Sequence, residues 1–83
     1  MTMQLANDLE KQYTELNFRN HCYLRIAYDN VVGAKWNTVI SEPFTKKAII
    51  EQVNKANELL ILYKTDKYLL LEHNKISLTY RKK

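Results

Sequence analysis

The chain of 83 residues has one cysteine, one glycine and one proline, and each scarcity excludes something. Lone Cys22 cannot close an intramolecular disulfide, so no cystine framework compensates for small size. A single glycine, Gly33, cannot build a glycine-rich phosphate loop, which disfavours the common nucleotide and acyl-CoA cradles. His21, His73 and Cys22 match no zinc-ligand spacing, and neither Cys-x-x-Cys nor His-Glu-x-x-His occurs, so no metal and no cofactor are expected. The densest apolar runs, at 59–63 and 68–71, fall far short of the ~18 residues that would span a bilayer. Residues 1–16 are amphipathic rather than continuously apolar, which argues against a secretory signal. The expectation is a soluble, cytoplasmic protein.

Small size adds its own limits. A chain of this length buries roughly 60–65% of its unfolded surface, enough for one core but not for a deep pocket as well. Catalytic domains usually exceed ~100–150 residues, so no enzyme is expected and no catalytic residue is assigned. With 46% hydrophobic residues, the chain should nonetheless fold. Six of its nine aromatics are tyrosine, a residue that serves equally at the boundary of a small core or on a binding surface.

Charge is unevenly placed. Residues 1–16 carry three acids against one lysine, whereas residues 17–83 carry twelve Lys or Arg against six acids. The overall charge is +4 and the pI about 9.2, which suits contact with nucleic acid or an acidic protein surface. The basic residues that stand out are Arg19, Arg25, Lys35, the pair Lys46-Lys47, and Arg81 with the two lysines after it.

Periodicity predicts a single helical domain over 1–83, a small all-α bundle of about four helices, with 81–83 a basic tail. Leu5, Leu9, Tyr13 and Leu16 mark an amphipathic first helix over 3–16, with Asn17 either ending it or capping the second helix. That second helix, over 18–32, is apolar nearly all round, as befits a central element, and Gly33 stands where a left-handed cap would end it. Residues 34–43 read as a connection with extended character at Thr38-Val39-Ile40, and Pro43 biases Glu42 away from helix. Thr45 is the expected N-cap of a long third helix, with Ile49, Val53, Ala56, Leu60 and Tyr63 facing inward. Thr65-Asp66 starts a fourth helix over 66–74 or as far as 80. The alternative is an α+β fold in which residues 59–81 form a β-meander, because Ile76, Leu78 and Tyr80 alternate. Neither connecting turn of that meander contains glycine, and one glycine and one proline suit a bundle better.

The second helix keeps one polar row: His21, Arg25 and Asp29, four residues apart. Read structurally, Arg25 and Asp29 form an i,i+4 ion pair that orients the helix. Read functionally, Arg25 grips a phosphate or carboxylate and His21 is a pH-sensitive contact or general base. Cys22, on an apolar arc about 100° from His21, is poorly placed as a nucleophile and reads as an inert core residue. Trp36 beside Lys35 is either a stacking anchor for a partner or a lid on the core. Lys46-Lys47 at a helix start would be slightly unfavourable for the dipole, which hints at an anion. Arg81 and the tail either clamp phosphates or are simply solvated.

The run Asn20-His21-Cys22-Tyr23-x-Arg25-Ile26-Ala27-Tyr28-Asp29, with Ala34-Lys35-Trp36, Pro43 and Glu72-His73-Asn74, resembles a group of small bacterial proteins of uncharacterised activity. That resemblance implies no substrate or site residue. An acyltransferase assignment does not fit, because the usual acetyl-CoA-binding fold is a longer α/β chain with a glycine-rich turn. In size, charge and lack of catalytic motifs the chain also resembles, as a class, anti-CRISPR proteins, small inhibitors that bind an RNA-guided nuclease or its guide. Together these observations predict a non-catalytic binding protein whose partner is a larger protein or ribonucleoprotein. The candidate contacts are Arg19, His21, Arg25, Lys35, Trp36, Lys46, Lys47 and Arg81. A small DNA- or RNA-binding regulator is the alternative, and an enzyme or ligand-binding domain centred on His21, Arg25 and Asp29 is a third. A tyrosine-rich exterior would also permit a homodimer.

Overall fold

The computed structural model describes residues 2–16, 18–40 and 44–81, without the side chains of Thr2 and Thr45. Five α-helices succeed one another: α1 (Thr2–Gln12), α2 (Asn20–Val32), α3 (Phe44–Lys47), α4 (Ile50–Thr65) and α5 (Lys67–Arg81). Short 3-10 turns at Thr14–Leu16 and Trp36–Thr38 join the first three. The described residues contain no strand, so the fold is an all-α bundle of four longer helices and one single-turn helix. The expected roles of Asn17 as helix end or cap, and of Pro43 acting on Glu42, lie outside the described residues.

Helix α2 is the hub, packed by α1, α4 and α5, while α1 also meets α4. The molecule is a slab of 31 × 31 × 17 Å, too thin for a buried chamber beneath its single core. Leu5, Ala6 and Leu9 of α1, Tyr23, Ile26 and Ala27 of α2, Ala56, Leu60 and Tyr63 of α4, and Leu70 of α5 fill that core. Spacings of three, four and seven residues gather these side chains, as helical periodicity requires.

The two ends of α2 are satisfied in different ways. Asn20, at the start of α2, donates its backbone N–H to Glu10 Oε2 (3.2 Å), so an α1 side chain fulfils a donor that the helix itself leaves unpaired. Gly33 ends α2 at φ 76°. Its N–H and that of Ala34 both donate to the Asp29 carbonyl (2.8 and 3.3 Å). A Cβ at residue 33 would meet no atom within 4 Å, so Gly33→Ala is expected to cost about 1 kcal/mol through backbone strain alone. Urea unfolding checks this, with Gly33→Asn expected to cost less because asparagine tolerates that conformation.

Three segments differ from expectation. The long third helix is broken: α3 is one turn, Ile49 is the N-cap of α4, and Gln52 Oε1 reaches back to the Ile49 N–H (3.3 Å). Phe44 is buried, whereas Ile49, expected inside, is 62% exposed. Residues 36–38 form a 3-10 turn instead of an extended stretch, because the Trp36 N–H is held by the buried Asp29 carboxylate. The fourth helix runs to Arg81. Asp66 starts it by accepting the Leu69 N–H (2.9 Å) while its own N–H caps α4 at Leu62 (2.9 Å), and one residue therefore serves both helices.

The tyrosine-rich exterior is also corrected. Tyr13, Tyr23, Tyr28 and Tyr63 are buried, and only Tyr68 and Tyr80 are exposed. Tyr13 donates its hydroxyl to the Tyr63 carbonyl (2.6 Å), fastening the end of α1 to the end of α4. Burial pushes the Tyr23 and Tyr28 hydroxyls up to about 12. Cys22, expected in the core, is half-buried.

Candidate functional site

Asp29 is fully buried in the last turn of α2, beneath α5. An unpaired carboxylate in that position would be very costly, so its partners decide whether the fold exists. Oδ2 accepts Ser77 Oγ (2.6 Å) and Arg81 Nε (2.8 Å); Oδ1 accepts Arg81 Nη2 (3.0 Å) and the Trp36 N–H (3.0 Å). Arg81 thus grips both oxygens as a planar fork. Ser77 and Arg81 reach the same acid because they lie four residues apart, on one face of α5. The Asp29 side chain joins α2, the turn after it, and α5. Its backbone carbonyl closes the helix.

The row His21, Arg25 and Asp29 is therefore not a constellation. Arg25 does not pair with Asp29. Its Nη2 donates to Asn74 Oδ1 on α5 (2.6 Å), and burial lowers its pKa. His21 is exposed. All three residues lie on one strip of α2, but each faces a different environment. Arg81 is no tail residue: it closes α5 on Asp29, with its side chain 25% exposed. Lys82 and Lys83 lie outside the described residues.

Beside Asp29, the turn at residues 36–38 and α3 are tied down by three rings. Tyr28 stacks on Phe44 (centroids 3.8 Å, 12° between planes). Trp36 meets Tyr28 and Phe44 edge-on at 5.3 and 5.6 Å. Trp36 thus belongs to the packing and is only partly accessible. Neighbouring this cluster in the chain are Lys35, Lys46 and Lys47. Lys46 and Lys47 are exposed and end α3 rather than start it. Cations suit the carbonyl end of a helix, so their position no longer hints at an anion. Lys35 follows the C-terminal end of α2, Arg81 is bound to Asp29 in its last turn, and Lys46 and Lys47 follow Phe44, whose ring stacks on Tyr28. Arg19 precedes the other end of α2, about 20 Å away along a 13-residue helix.

Two further acids form ion pairs at the surface. Lys64 pairs with Asp8 and Lys67 with Glu15, each at 3.1 Å. Arg19, Lys35, Lys46 and Lys47 have no ion pair among the described residues. No group of three His, Cys, Asp or Glu side chains able to hold a metal occurs among the described residues, and no described helix is long and apolar enough to cross a membrane.

Sequence reasoning missed Ser77 and Phe44 and gave no structural role to Asn74 or His73. The one available signal was the Ser77–Arg81 spacing. Tyr63 Oη and His73 Nδ1 share a hydrogen bond (2.7 Å) between α4 and α5, and burial holds His73 below its ordinary value against the pull of Glu72. The His73 carbonyl accepts Asn30 Nδ2 (3.0 Å) from α2. Compared with protein-family models, curated proteins and solved structures, the chain matches none.

Proposed function

We propose that this chain is a non-catalytic binding protein that acts on a larger protein or ribonucleoprotein, and that Lys35, Lys46 and Lys47 form the contact. One observation carries the reading: Lys35, Lys46 and Lys47 have no ion pair among the described residues and flank in sequence the aromatic cluster that anchors α3 to α2, whereas Asp8 and Glu15 pair with Lys64 and Lys67 at the surface and Asp29 with Arg81 in the core. Unneutralised cations on a rigid segment raise the local concentration of an acidic partner surface. The aromatic cluster beneath supplies the rigidity, since Trp36 and Phe44 fix the turn and α3 at once. The most concrete version, which rests on size, charge and the class-level resemblance, is an inhibitor of an RNA-guided nuclease.

The test compares tagged wild type with the double variant Lys46→Glu/Lys47→Glu in co-purification from host extract, with and without RNase and DNase. Both lysines are exposed, so the variant's circular dichroism should be unchanged. The expected result is one large protein retained after nuclease treatment by wild type and bound roughly tenfold more weakly by the variant. Equal retention by both proteins would remove the lysines from the interface. Capture that disappears with nuclease would replace the protein contact with nucleic-acid binding. For the nuclease version, wild type slows target cleavage by a purified guide-loaded enzyme, and the variant does so at about tenfold higher concentration.

A further inference from the structure

Helix α5 turns Leu70 and Ser77 to the core and a second apolar stripe to solvent. Tyr68 is 88% and Leu78 49% exposed. Leu71 is half-buried and Lys75 exposed. Tyr68, Leu71, Lys75 and Leu78 recur at steps of three, four and three residues, the spacing of a seam between two helices. Exposed Glu72 flanks the stripe. Two shallow hollows open along it, one lined by Lys67, Tyr68 and Leu71, the other by Lys75, Leu78, Thr79 and Arg81.

We propose that this stripe binds a second copy of the same chain, with the two α5 helices antiparallel about a twofold axis. Only a self-complementary face can do this, because residue i must suit residue j and j must suit i. Here it does. An axis beside His73 sets Tyr68 of one copy against Leu78 of the other, twice. Leu71 of one copy then lies along the stem of Lys75 of the other, whose ammonium reaches Glu72 of the first, again twice. The ring of Tyr68 enters the hollow lined by Lys75, Leu78, Thr79 and Arg81 of the second copy. A parallel arrangement would instead set Lys75 against Lys75 at the centre of the seam. Charge order along the stripe therefore selects both the occupant and its direction.

Two helix faces make an interface at the small end of the range, so the dimer dissociates in the micromolar range. Sedimentation equilibrium of the full chain, from about 5 μM to about 500 μM, should show mass rising from 9.9 kDa toward twice that value. Tyr68→Glu/Leu78→Glu should hold the protein monomeric throughout, with its helical signal intact because both positions are exposed. Lys75→Glu should weaken the dimer roughly tenfold, and Glu72→Lys/Lys75→Glu, which exchanges the charges, should restore it. A monomer at every concentration overturns the proposal and leaves the stripe to a different protein. A dimer indifferent to Tyr68→Glu/Leu78→Glu, or one that the charge exchange fails to rescue, overturns it as well. None of these substitutions touches Lys46 or Lys47, so failure here is distinguishable from failure of the partner contact.

Discussion

Asp29→Ala is expected to lower the unfolding free energy by about 3–5 kcal/mol, measured by urea unfolding followed with circular dichroism. The cost comes from what is left behind rather than from the contacts themselves. Without the carboxylate, Arg81 keeps a three-quarters-buried charge, and Ser77 and the Trp36 N–H lose their acceptor. A domain of this size has roughly 4–12 kcal/mol in total, so the variant should be largely unfolded at 37 °C in the lower part of that range. Arg81→Lys should also be destabilising, because an ammonium cannot replace a fork that serves both oxygens. Removing both charges, as Asp29→Leu/Arg81→Leu, should cost less than the two single changes added together. A loss below about 1 kcal/mol for Asp29→Ala would show that this network does not close the fold.

Phe44→Ala should cost about 3–5 kcal/mol, the range for emptying a buried aromatic site. The magnitude is large for a helix of four residues, and the reason lies in the ring geometry. Phe44 is the only large buried side chain of α3 among the described residues, and both Tyr28 and Trp36 rest on it. Losing it creates a cavity and also releases the aromatic pairs, which contribute about 0.5–1.5 kcal/mol each beyond area. Trp36 is the sole tryptophan, so its emission reports the same event, and a red shift should accompany the loss. Phe44→Leu should restore most of the stability. If Phe44→Ala unfolds at the wild-type urea concentration, α3 is not held by its ring.

Most of the bundle was legible because helical periodicity is a local property. Leu5 and Leu9, or Ala56, Leu60 and Tyr63, declare their faces within a few turns, and Gly33 declares the end of α2 through its own backbone. The ambiguity over residues 59–81 resolves toward helix because Asp66 caps α5, whereas Ile76, Leu78 and Tyr80 only mimic alternation. The site was less legible. Periodicity placed His21, Arg25 and Asp29 on one strip, but what each meets is decided by α5, some fifty residues later in the chain. Local spacing favoured an Arg25–Asp29 pair; the fold gives Arg25 to Asn74 and Asp29 to Arg81. Nothing near Phe44 in sequence reveals that its ring lands on Tyr28, and without that anchor the break between α3 and α4 could not be seen.

The clasp between Asp29 and Arg81 spans 52 residues, and it sets an order of events during synthesis. Translation proceeds at about 5–20 residues per second, so the carboxylate is made roughly 3–10 seconds before the guanidinium that neutralises it. Until then α2 has no means of burying its last turn, and the growing polypeptide must keep its hub hydrated. Closure of α5 on α2 should therefore wait until the last turn of α5 clears the ribosome. Truncation anywhere before residue 81 should yield a species for proteases rather than a smaller folded unit.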